Sequence, residues 1–590
     1  MNFFSFNQIK PKGWMKTILQ TQKNGLSGNL YKIWPDIKDS KWLGGNKEGW
    51  ERLPYYLDGF IPLVYLLNDE EEKLVIKKYI DTILSHQQED GWLCPCKKEE
   101  RESYDLWGLF LILKVLIVYY ECSNDERIEE CIYKALKNLS THLKAHTLFN
   151  WASARWFECY IPIIWIYNKR KEDWLLDLAS RLKAQGLDYL SSSSIWKKTE
   201  NVWSYETHVV NISMALKAEA LYSTLFNKKT NNEAKKLLKI IDKYHSNVYG
   251  HFNGDECLGG TSPTRGSELC GIVEAMYSYE LLFLLTKDST YLDRLDLLTF
   301  NGLPATISSD IWTHQYDQMV NQIACVKFKK TPFGTNSNES NLFGLEPNFG
   351  CCTANFSQGW PKYLRSVILQ DNNDLIITSC VPFALKNNDY DLIVNSEFPF
   401  RKRINIELKT NKKCTLKIRI PQNYEVNTSY KVENNYLTVN VNNHINFSFE
   451  LIPLLKLEKR PSSLYSLKYG SLIFALPIKE KKVMHEYIKD GVERKFPYCD
   501  FEIFPLSNWK YGFTSFTNFE IIEKEYTNPF SRNNPPLQIK TSLAPIIWDE
   551  QDLICSDKPT KIRTNENEVK YLQPYGSTTL RVTELPFIKN

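Results

Sequence analysis

Two different hydrophobic periodicities divide this chain of 590 residues near Val367, and they constrain its fold more than any other feature. Before that point, apolar residues recur every three or four positions, which is the spacing of helices that bury one face. After it, short runs rich in β-branched residues alternate apolar and polar positions, as strands of a half-buried sheet do. The sequence therefore predicts a multidomain α+β protein.

The helical part contains long amphipathic segments separated by loops rich in Gly, Pro, Trp and acidic residues. The segments with the clearest helical spacing are Trp174–Leu182, Val209–Leu225, Asn232–His245 and Ile272–Thr286. No fixed-period sequence repeat is evident, which argues against a regular solenoid. Long helices alternating with such loops predict antiparallel helix pairs wrapped into a toroid.

The β-rich part shows several short strand patterns separated by Asn, Pro and Lys. The clearest are Asp374–Cys380, Tyr390–Val394, Arg403–Leu408, Thr415–Ile420 and Leu437–Val441. Such a series is typical of a β-sandwich. We predict a helical domain over 1–366, a β-sandwich over 367–476 and a second β domain over 477–590, which could instead be an extension of the first.

Composition narrows the class of partner. The net charge of +4 is small for this length, so nothing indicates a nucleic acid or an anionic membrane as partner. Aromatic residues make up 13% of the chain, and aromatic side chains cover sugar faces well, although they also build cores. The balance favours a carbohydrate ligand.

The start of the chain carries no recognisable export signal. Residues 1–30 contain no apolar stretch of signal-peptide length, and the longest apolar run, Leu109–Tyr120, is interrupted by Lys114 and is too short to span a bilayer. The 14 cysteines are scattered without a paired framework, which fits a reducing compartment. We expect a cytoplasmic protein without a membrane partner; a homo-oligomer is left open.

Two short runs carry the most chemical information. Cys351 and Cys352 are adjacent, and Glu268 and Cys270 form a Glu-x-Cys run upstream. Adjacent cysteines rarely form a disulfide with each other, so the pair has a metal, two separate partners or no partner at all. Three thiols and a carboxylate are a plausible tetrahedral zinc shell, since both ligand types suit that ion. Two buried thiols that only fill space are the alternative.

With these runs in view, the chain resembles glycoside hydrolase family 127, formerly DUF1680, whose founding activity is β-L-arabinofuranosidase. Supporting runs are spread from end to end, and the Glu-x-Cys run paired with Cys-Cys is the most specific of them. The other runs are 9–14, 50–59, 104–108, 208–211, 254–256, 301–305, 315–317 and 574–576.

The resemblance implies an (α/α)6 six-hairpin barrel that carries the active site, followed by β-sandwich domains. It also implies Zn²⁺ held by Glu268, Cys270, Cys351 and Cys352, with Cys351 as the nucleophile. The family's glutamate acid/base corresponds to Glu256. The neighbouring Asp255 is a second choice, because the loop from Glu256 to Glu268 is shorter than in the founding enzymes.

Several further residues are candidates for sugar contact. His208 begins an apolar helical stretch, as the sugar-binding histidine of the family does, but a lone histidine is often structural. Asp58 in an aromatic-rich loop could bind sugar hydroxyls or cap a helix. Trp107, Trp203 and Tyr316 could line the sugar site or pack in the core.

The leading interpretation is a retaining glycosidase that releases β-L-arabinofuranose or a related sugar from plant-type oligosaccharides, with a cysteine nucleophile and a glutamate acid/base. Two alternatives stay open. Helical toroids with β-sandwiches also host polysaccharide lyases, and the zinc site could stabilise a non-catalytic carbohydrate-binding protein. The exact sugar depends on loop shape, which the sequence does not reveal.

Overall fold

The protein is described by a computed structural model that covers residues 1–589. Its helical part consists of outer and inner helices that alternate along the chain. The outer helices are Gly13–Asn24, Glu70–Ser85, Arg127–Ala145, Trp174–Gln185, Glu233–Tyr244 and Thr290–Leu297. The inner helices are Arg52–Leu67, Trp107–Ser123, Tyr160–Arg170, Val209–Ala215 with Ala218–Leu225, Leu269–Thr286 and Gly359–Ser366.

The inner helices form a closed ring. Each contacts the next along the chain, and Gly359–Ser366 returns to pack against Arg52–Leu67. Inner helices such as Trp107–Ser123 are buried on nearly every side, which explains why they are apolar all round. The arrangement is the expected (α/α)6 barrel, and the four predicted helical segments coincide with its helices, the longest of them broken at 216–217.

Shorter helices connect these long ones. They are Leu30–Ile33, Pro35–Lys38, Asn150–Ala154, Tyr189–Ser192, Leu303–Ala305 and Cys351–Asn355. The predicted environment of one site candidate is wrong here, because Asp58 lies inside Arg52–Leu67 and not in a loop or at an N-cap. It is fully buried, 2.9 Å from Lys114 Nζ and 2.6 Å from Lys362 Nζ. Burial opposes its charge, yet the two ammonium groups hold the pKa of Asp58 below its usual range.

An apolar cavity of about 220 Å³ lies near the C-terminal halves of the inner helices, and Glu280 reaches into it. The Glu280 side chain is buried, and its Oε1 has no hydrogen-bond partner. Burial raises the pKa of Glu280 to about 8, although Lys362 and Arg365 favour the ionised form. In an unfolded chain this pKa is about 4.3.

Glu280 is therefore expected to make stability fall as pH rises from about 4 to about 8, because the folded state keeps a proton that the unfolded chain releases. Glu280→Gln should remove this dependence and stabilise the protein by on the order of 2 kcal/mol more at pH 8.5 than at pH 5.5. Apparent melting temperatures at both pH values measure the effect, with the exposed Glu89→Gln as control. An equal change at both pH values would contradict the assignment.

The β-rich part begins with two six-stranded sheets. In order, the first contains Asn2–Phe3, Ile368–Asp371, Asp374–Ile377, Cys414–Arg419, Tyr436–Val441 and Lys431–Glu433. The second contains Tyr424–Asn427, His444–Pro453, Arg403–Thr410, Tyr390–Ser396, Phe383–Lys386 and Ile9–Pro11. Burial alternates along the longer strands of both sheets, so each sheet has one face in the core, as in a β-sandwich. Every predicted strand pattern coincides with one of these strands.

The third sheet has nine strands. Its main path is Leu455–Lys459, Leu464–Tyr469, Leu472–Pro477, Glu568–Pro574, Leu537–Pro545 and Tyr511–Phe513, and Phe519–Glu523, Arg581–Val582 and Leu585–Pro586 pair alongside. Four two-stranded pairs complete the strands of residues 1–589, namely Ser267–Glu268 with Asp317–Gln318, Glu480–His485 with Asp500–Pro505, Tyr487–Lys489 with Val492–Arg494, and Glu550–Gln551 with Ile554–Cys555.

These pairings do not follow the domain boundaries expected from the sequence. Strands before residue 477 hydrogen-bond with strands after residue 537, so a boundary at 476/477 would cut through one sheet. The first 11 residues contribute one edge strand to each six-stranded sheet, Asn2–Phe3 to the first and Ile9–Pro11 to the second. We therefore propose that the second β unit begins near Leu455 and that residues 1–11 belong with the β-sandwich.

Buried polar contacts connect the β part to the barrel. Arg419 on a sandwich strand lies 3.0 Å from Asp296 on the last outer helix, and both side chains are buried. Near the C-terminus, Tyr575 donates a hydrogen bond of 2.8 Å to Gln318, and Arg581 donates one of 2.7 Å to the carbonyl of Met319. The C-terminal segment therefore supports the barrel loop that follows Tyr316.

Within residues 1–589, one helix, Leu269–Thr286, is long and apolar enough to cross a membrane, and 78% of it is buried inside the protein. It is an inner helix of the barrel, and such core helices pass this test of length and composition. The predicted cytoplasmic location stays a prediction.

Candidate active site

A cavity of about 300 Å³ opens where the inner helices begin. Glu51 precedes Arg52–Leu67, His208 precedes Val209–Ala215, and Glu268 precedes Leu269–Thr286. Helix N-termini carry partial positive charge, so this end of the barrel favours negatively charged groups. The residues that line the cavity are Glu51, Arg52, Tyr55, Trp151, Arg155, Trp203, His208, Val210, Glu256, Glu268, Cys270, Tyr316, Phe349 and Cys351.

Three thiols and one carboxylate meet at one side of the cavity. Glu268 and Cys270 belong to the start of Leu269–Thr286, and Cys351 and Cys352 begin the helix Cys351–Asn355. Ligand atoms of these four residues all lie within 4.8 Å of one another. The sequence separates the two runs by some 80 residues, and the packing of Cys351–Asn355 against the inner helix Leu269–Thr286 brings them together.

The donor set fits a metal ion. A tetrahedral zinc shell with bonds of about 2.0–2.3 Å separates its ligand atoms by about 3.3–3.8 Å. Cys352 Sγ and Glu268 Oε1 are 4.0 Å apart, so small side-chain movements would close the shell. Glu268 Oε2 is buried without a hydrogen-bond partner, a costly arrangement that a cation would relieve. These residues could therefore hold a metal ion.

A second group of potential ligands consists of His208, Glu256 and Glu268, whose ligand atoms also lie within 4.8 Å of one another. It shares Glu268 with the first group. His208 Nε2 and Glu256 Oε2 are only 2.9 Å apart and hydrogen-bond directly, so the sulfur-containing group is the better metal site.

Glu256 lies at the centre of a hydrogen-bond network inside the cavity. Its Oε1 accepts a hydrogen bond of 2.6 Å from the Tyr316 hydroxyl, and its Oε2 is 3.3 Å from Trp203 Nε1. The same Tyr316 hydroxyl is 3.5 Å from Cys351 Sγ. The carboxylate and the sulfur are therefore at most about 6 Å apart, close to the separation of about 5–5.5 Å in retaining glycosidases and below the 6.5–9.5 Å of inverting ones.

The thiols of the cluster are not equivalent. Hydrogen bonds from Cys270, Cys352 and Tyr316 hold the pKa of Cys351 well below its usual range, although burial opposes this. Burial raises the pKa of Cys270 and that of Cys352 well above the usual range. The protein itself thus favours negative charge on Cys351, the thiol that lines the cavity.

The wall of the cavity also contains a Glu–Arg pair to which the sequence analysis assigned no role. Glu51 Oε2 accepts a hydrogen bond of 2.8 Å from Trp107 Nε1 and lies 3.5 Å from Arg155 Nη1. The Arg155 guanidinium lies over the rings of Trp107 and Trp151, 4.7 Å and 4.4 Å from their centroids. Burial raises the pKa of Glu51 to about 8, although Arg155 favours its ionised form.

The second choice for the acid/base, Asp255, faces away from the cavity. It is fully buried, and its carboxylate pairs with Arg265 and accepts hydrogen bonds from the backbone N–H groups of Gly266 (2.6 Å) and Gly334 (2.8 Å). A carboxylate committed to these partners holds loops in place and does not reach a ligand in the cavity.

The remaining candidates divide into two groups. His208, Tyr316 and Trp203 line the cavity, whereas Asp58 and Trp107 do not. Trp107 is fully buried behind Glu51 and Arg155 and contacts both of these lining side chains. Glu51, Arg155 and Phe349 were missed. Glu51 shares a signal with His208 and Glu268, because each of the three directly precedes an inner helix.

Comparison with known proteins gives one family. The family model for "Beta-L-arabinofuranosidase, GH127 catalytic domain" matches residues 16–365, which is most of the barrel. No curated protein matches the chain.

Three solved structures share the fold over nearly the full length. A GH127 beta-arabinofuranosidase aligns with a TM-score of 0.70 and 14% identity over 99% of this chain and 98% of its own. A GH127 beta-L-arabinofuranosidase from Geobacillus stearothermophilus T6 aligns with a TM-score of 0.68 and 13% identity over 99% of this chain and 100% of its own. A protein described as a glycoside hydrolase aligns with a TM-score of 0.71 and 12% identity over 100% of this chain and 98% of its own. At these identities the likeness concerns the fold alone.

Proposed function

The chain belongs to glycoside hydrolase family 127, and from that membership we propose that it is a retaining β-L-arabinofuranosidase with Cys351 as nucleophile and Glu256 as acid/base. The observation that carries the mechanism is the Tyr316 hydroxyl, which bridges the Glu256 carboxylate and the Cys351 sulfur in one cavity. The separation this implies favours a retaining over an inverting reaction. Oligosaccharides that end in a neutral furanosyl residue are the proposed substrate class.

In the first half of the reaction, Cys351 Sγ attacks the anomeric carbon, and a carbon–sulfur bond forms as the glycosidic carbon–oxygen bond breaks. Glu256 gives its proton to the departing oxygen, so the leaving group departs as a neutral alcohol. Tyr316 and His208 hold the Glu256 side chain by hydrogen bonds in the position this transfer requires. The sugar is then attached to Cys351 as a thioglycoside.

In the second half, Glu256 is a carboxylate and takes a proton from water, whose oxygen forms a bond to the anomeric carbon. The carbon–sulfur bond breaks, Cys351 regains a thiolate, and Glu256 is again protonated. Two inversions give net retention of configuration.

We propose Zn²⁺ as the ion held by Glu268, Cys270, Cys351 and Cys352. When bound, zinc would keep the Cys351 sulfur in its thiolate form and, by drawing charge from it, make it a better leaving group. The fit is supported by the sulfur-rich donor set and by the unpartnered Glu268 Oε2.

Zinc content tests this assignment separately from activity. The purified protein is expected to contain about one zinc per chain, and Cys352→Ser to lose most of it because one of four ligands is gone. Cys257→Ser is the matched control, since this buried thiol lies beside Glu256 but outside the ligand group. Equal zinc content in wild type and Cys352→Ser, measured by elemental analysis, would refute the site.

Hydrolysis of p-nitrophenyl β-L-arabinofuranoside by reduced, zinc-loaded protein tests the activity. Release of nitrophenol, with the product sugar in the β-configuration at first, is the expected result. A panel of other furanosides and pyranosides shows whether another sugar is preferred. Products that absorb as unsaturated uronides would instead indicate a lyase, and the absence of any turnover across the panel would overturn the proposal.

A further inference from the structure

Two exposed aromatic side chains frame the mouth of the active-site cavity. Trp203 is 38% exposed and Phe349 is 55% exposed, whereas the other lining side chains are buried or half-buried. Single exposed apolar residues are common and need no explanation. Two large aromatic residues at one opening, both beside the proposed catalytic groups, are a more specific arrangement.

Both residues stand on the side from which a leaving group departs. Trp203 Nε1 is 3.3 Å from Glu256 Oε2, the carboxylate that protonates the leaving oxygen. The Phe349 ring centroid is 6.1 Å from that of Tyr316, whose hydroxyl donates to the other oxygen of Glu256. A group bonded to the departing oxygen beside Glu256 would therefore lie close to these two rings.

The depth of the catalytic groups decides where each sugar ring binds. Glu256 is buried and Cys351 is half-buried, so the ring that they attack lies inside the cavity of about 300 Å³. The next residue of an oligosaccharide is bonded to the departing oxygen and extends towards the exposed mouth. An exposed aromatic face there offers an apolar surface that matches the C–H face of a sugar ring.

We propose that Trp203 and Phe349 form a leaving-group subsite that binds the second sugar ring of an oligosaccharide. This inference rests on the proposed glycosidase function and extends it, since the enzyme would remove one terminal residue at a time and prefer a ring-shaped leaving group to a small one. The ring lies against aromatic faces, so a neutral sugar or an aromatic group suits the subsite better than an ionised one.

The test compares three β-L-arabinofuranosides that differ only in the leaving group: methyl, p-nitrophenyl and a second arabinofuranose. The measured quantity is the ratio of kcat/KM for the disaccharide to kcat/KM for the methyl glycoside. Phe349→Ala is expected to lower this ratio about tenfold, and Phe349→Trp to restore it. Phe496→Ala removes an aromatic side chain that is 66% exposed elsewhere and should leave the ratio unchanged.

Equal losses for the methyl glycoside and the disaccharide, or no loss for either, would overturn the subsite. If the wild type hydrolyses none of the three substrates, the proposed function is refuted, and a binding measurement then tests the subsite separately. Saturable quenching of tryptophan fluorescence by a p-nitrophenyl glycoside, reduced in Trp203→Phe and about tenfold weaker in Phe349→Ala, would support it. Absence of saturable quenching in the wild type would refute it.

Discussion

Replacing Cys351 by serine is expected to lower kcat for glycoside hydrolysis by about 10⁴–10⁶-fold, the range seen when an enzyme loses its nucleophile. A serine hydroxyl stays protonated at neutral pH, whereas hydrogen bonds from Cys270, Cys352 and Tyr316 favour the Cys351 thiolate. The measurement is nitrophenol release by matched preparations. Cys96→Ser is the control, because Cys96 and Cys351 are the two half-buried thiols among the fourteen cysteines.

Loss of activity alone does not separate a nucleophile from a metal ligand, since Cys351 is proposed to be both the nucleophile and one of the four metal ligands. Two further measurements separate them. Zinc content shows whether the serine variant still holds the ion, and mass spectrometry of the wild type during turnover shows whether a sugar is attached to the peptide that contains Cys351. A sugar attached to a different residue, or Cys351→Ser with wild-type kcat, would refute the thiolate mechanism.

The fold was largely predictable because most helices and strands have their own hydrophobic periodicity in the sequence. The helical spacing of Ile272–Thr286 and the alternation of Arg403–Leu408 each identify an element that packs one or more faces in a core. Domain boundaries were not predictable in the same way. Strand pairing between Leu472–Pro477 and Glu568–Pro574 joins segments about ninety residues apart, and no local pattern records such a partner.

The site was predictable where its chemistry depends on residue type at short spacing. Glu268 and Cys270, and Cys351 and Cys352, are rare combinations whose chemistry points to a metal. Asp58 is the opposite case, because its sequence neighbours suggest a loop while its partners Lys114 and Lys362 come from two other inner helices. An ion pair between a carboxylate and lysines that are far away in the sequence cannot be recognised from the residues next to the carboxylate.

One of the missed residues follows from the architecture of the barrel. The cavity lies where several inner helices begin, and Glu51, His208 and Glu268 each directly precede one of these helices. Once the inner helices are identified, Glu51 could therefore be predicted from the sequence. Arg155 and Phe349 have no such signal, because Arg155 lies five residues before Tyr160–Arg170 and Phe349 lies in the loop before the short connecting helix Cys351–Asn355.

Replacing Glu256 by alanine is expected to lower kcat/KM for a disaccharide by about 10²–10⁴-fold, since a sugar leaving group must be protonated as it departs. The effect on p-nitrophenyl β-L-arabinofuranoside should be different in kind. Nitrophenol is a good leaving group and departs without a proton, so the first half-reaction survives while water activation in the second fails. We expect a burst of nitrophenol followed by slow turnover, a lower KM, and accumulation of sugar on Cys351.

Sodium azide distinguishes an acid/base from a residue that only supports the fold. Azide needs no general base, so it should restore turnover of the p-nitrophenyl substrate in Glu256→Ala and yield a β-glycosyl azide. Asp255→Ala is the matched comparison, because its carboxylate is tied to Arg265 and to two backbone N–H groups. This variant should lose thermal stability and show neither burst nor rescue. Azide rescue of Asp255→Ala instead would move the acid/base role to that residue, and unchanged hydrolysis by Glu256→Ala would refute Glu256 as the acid/base.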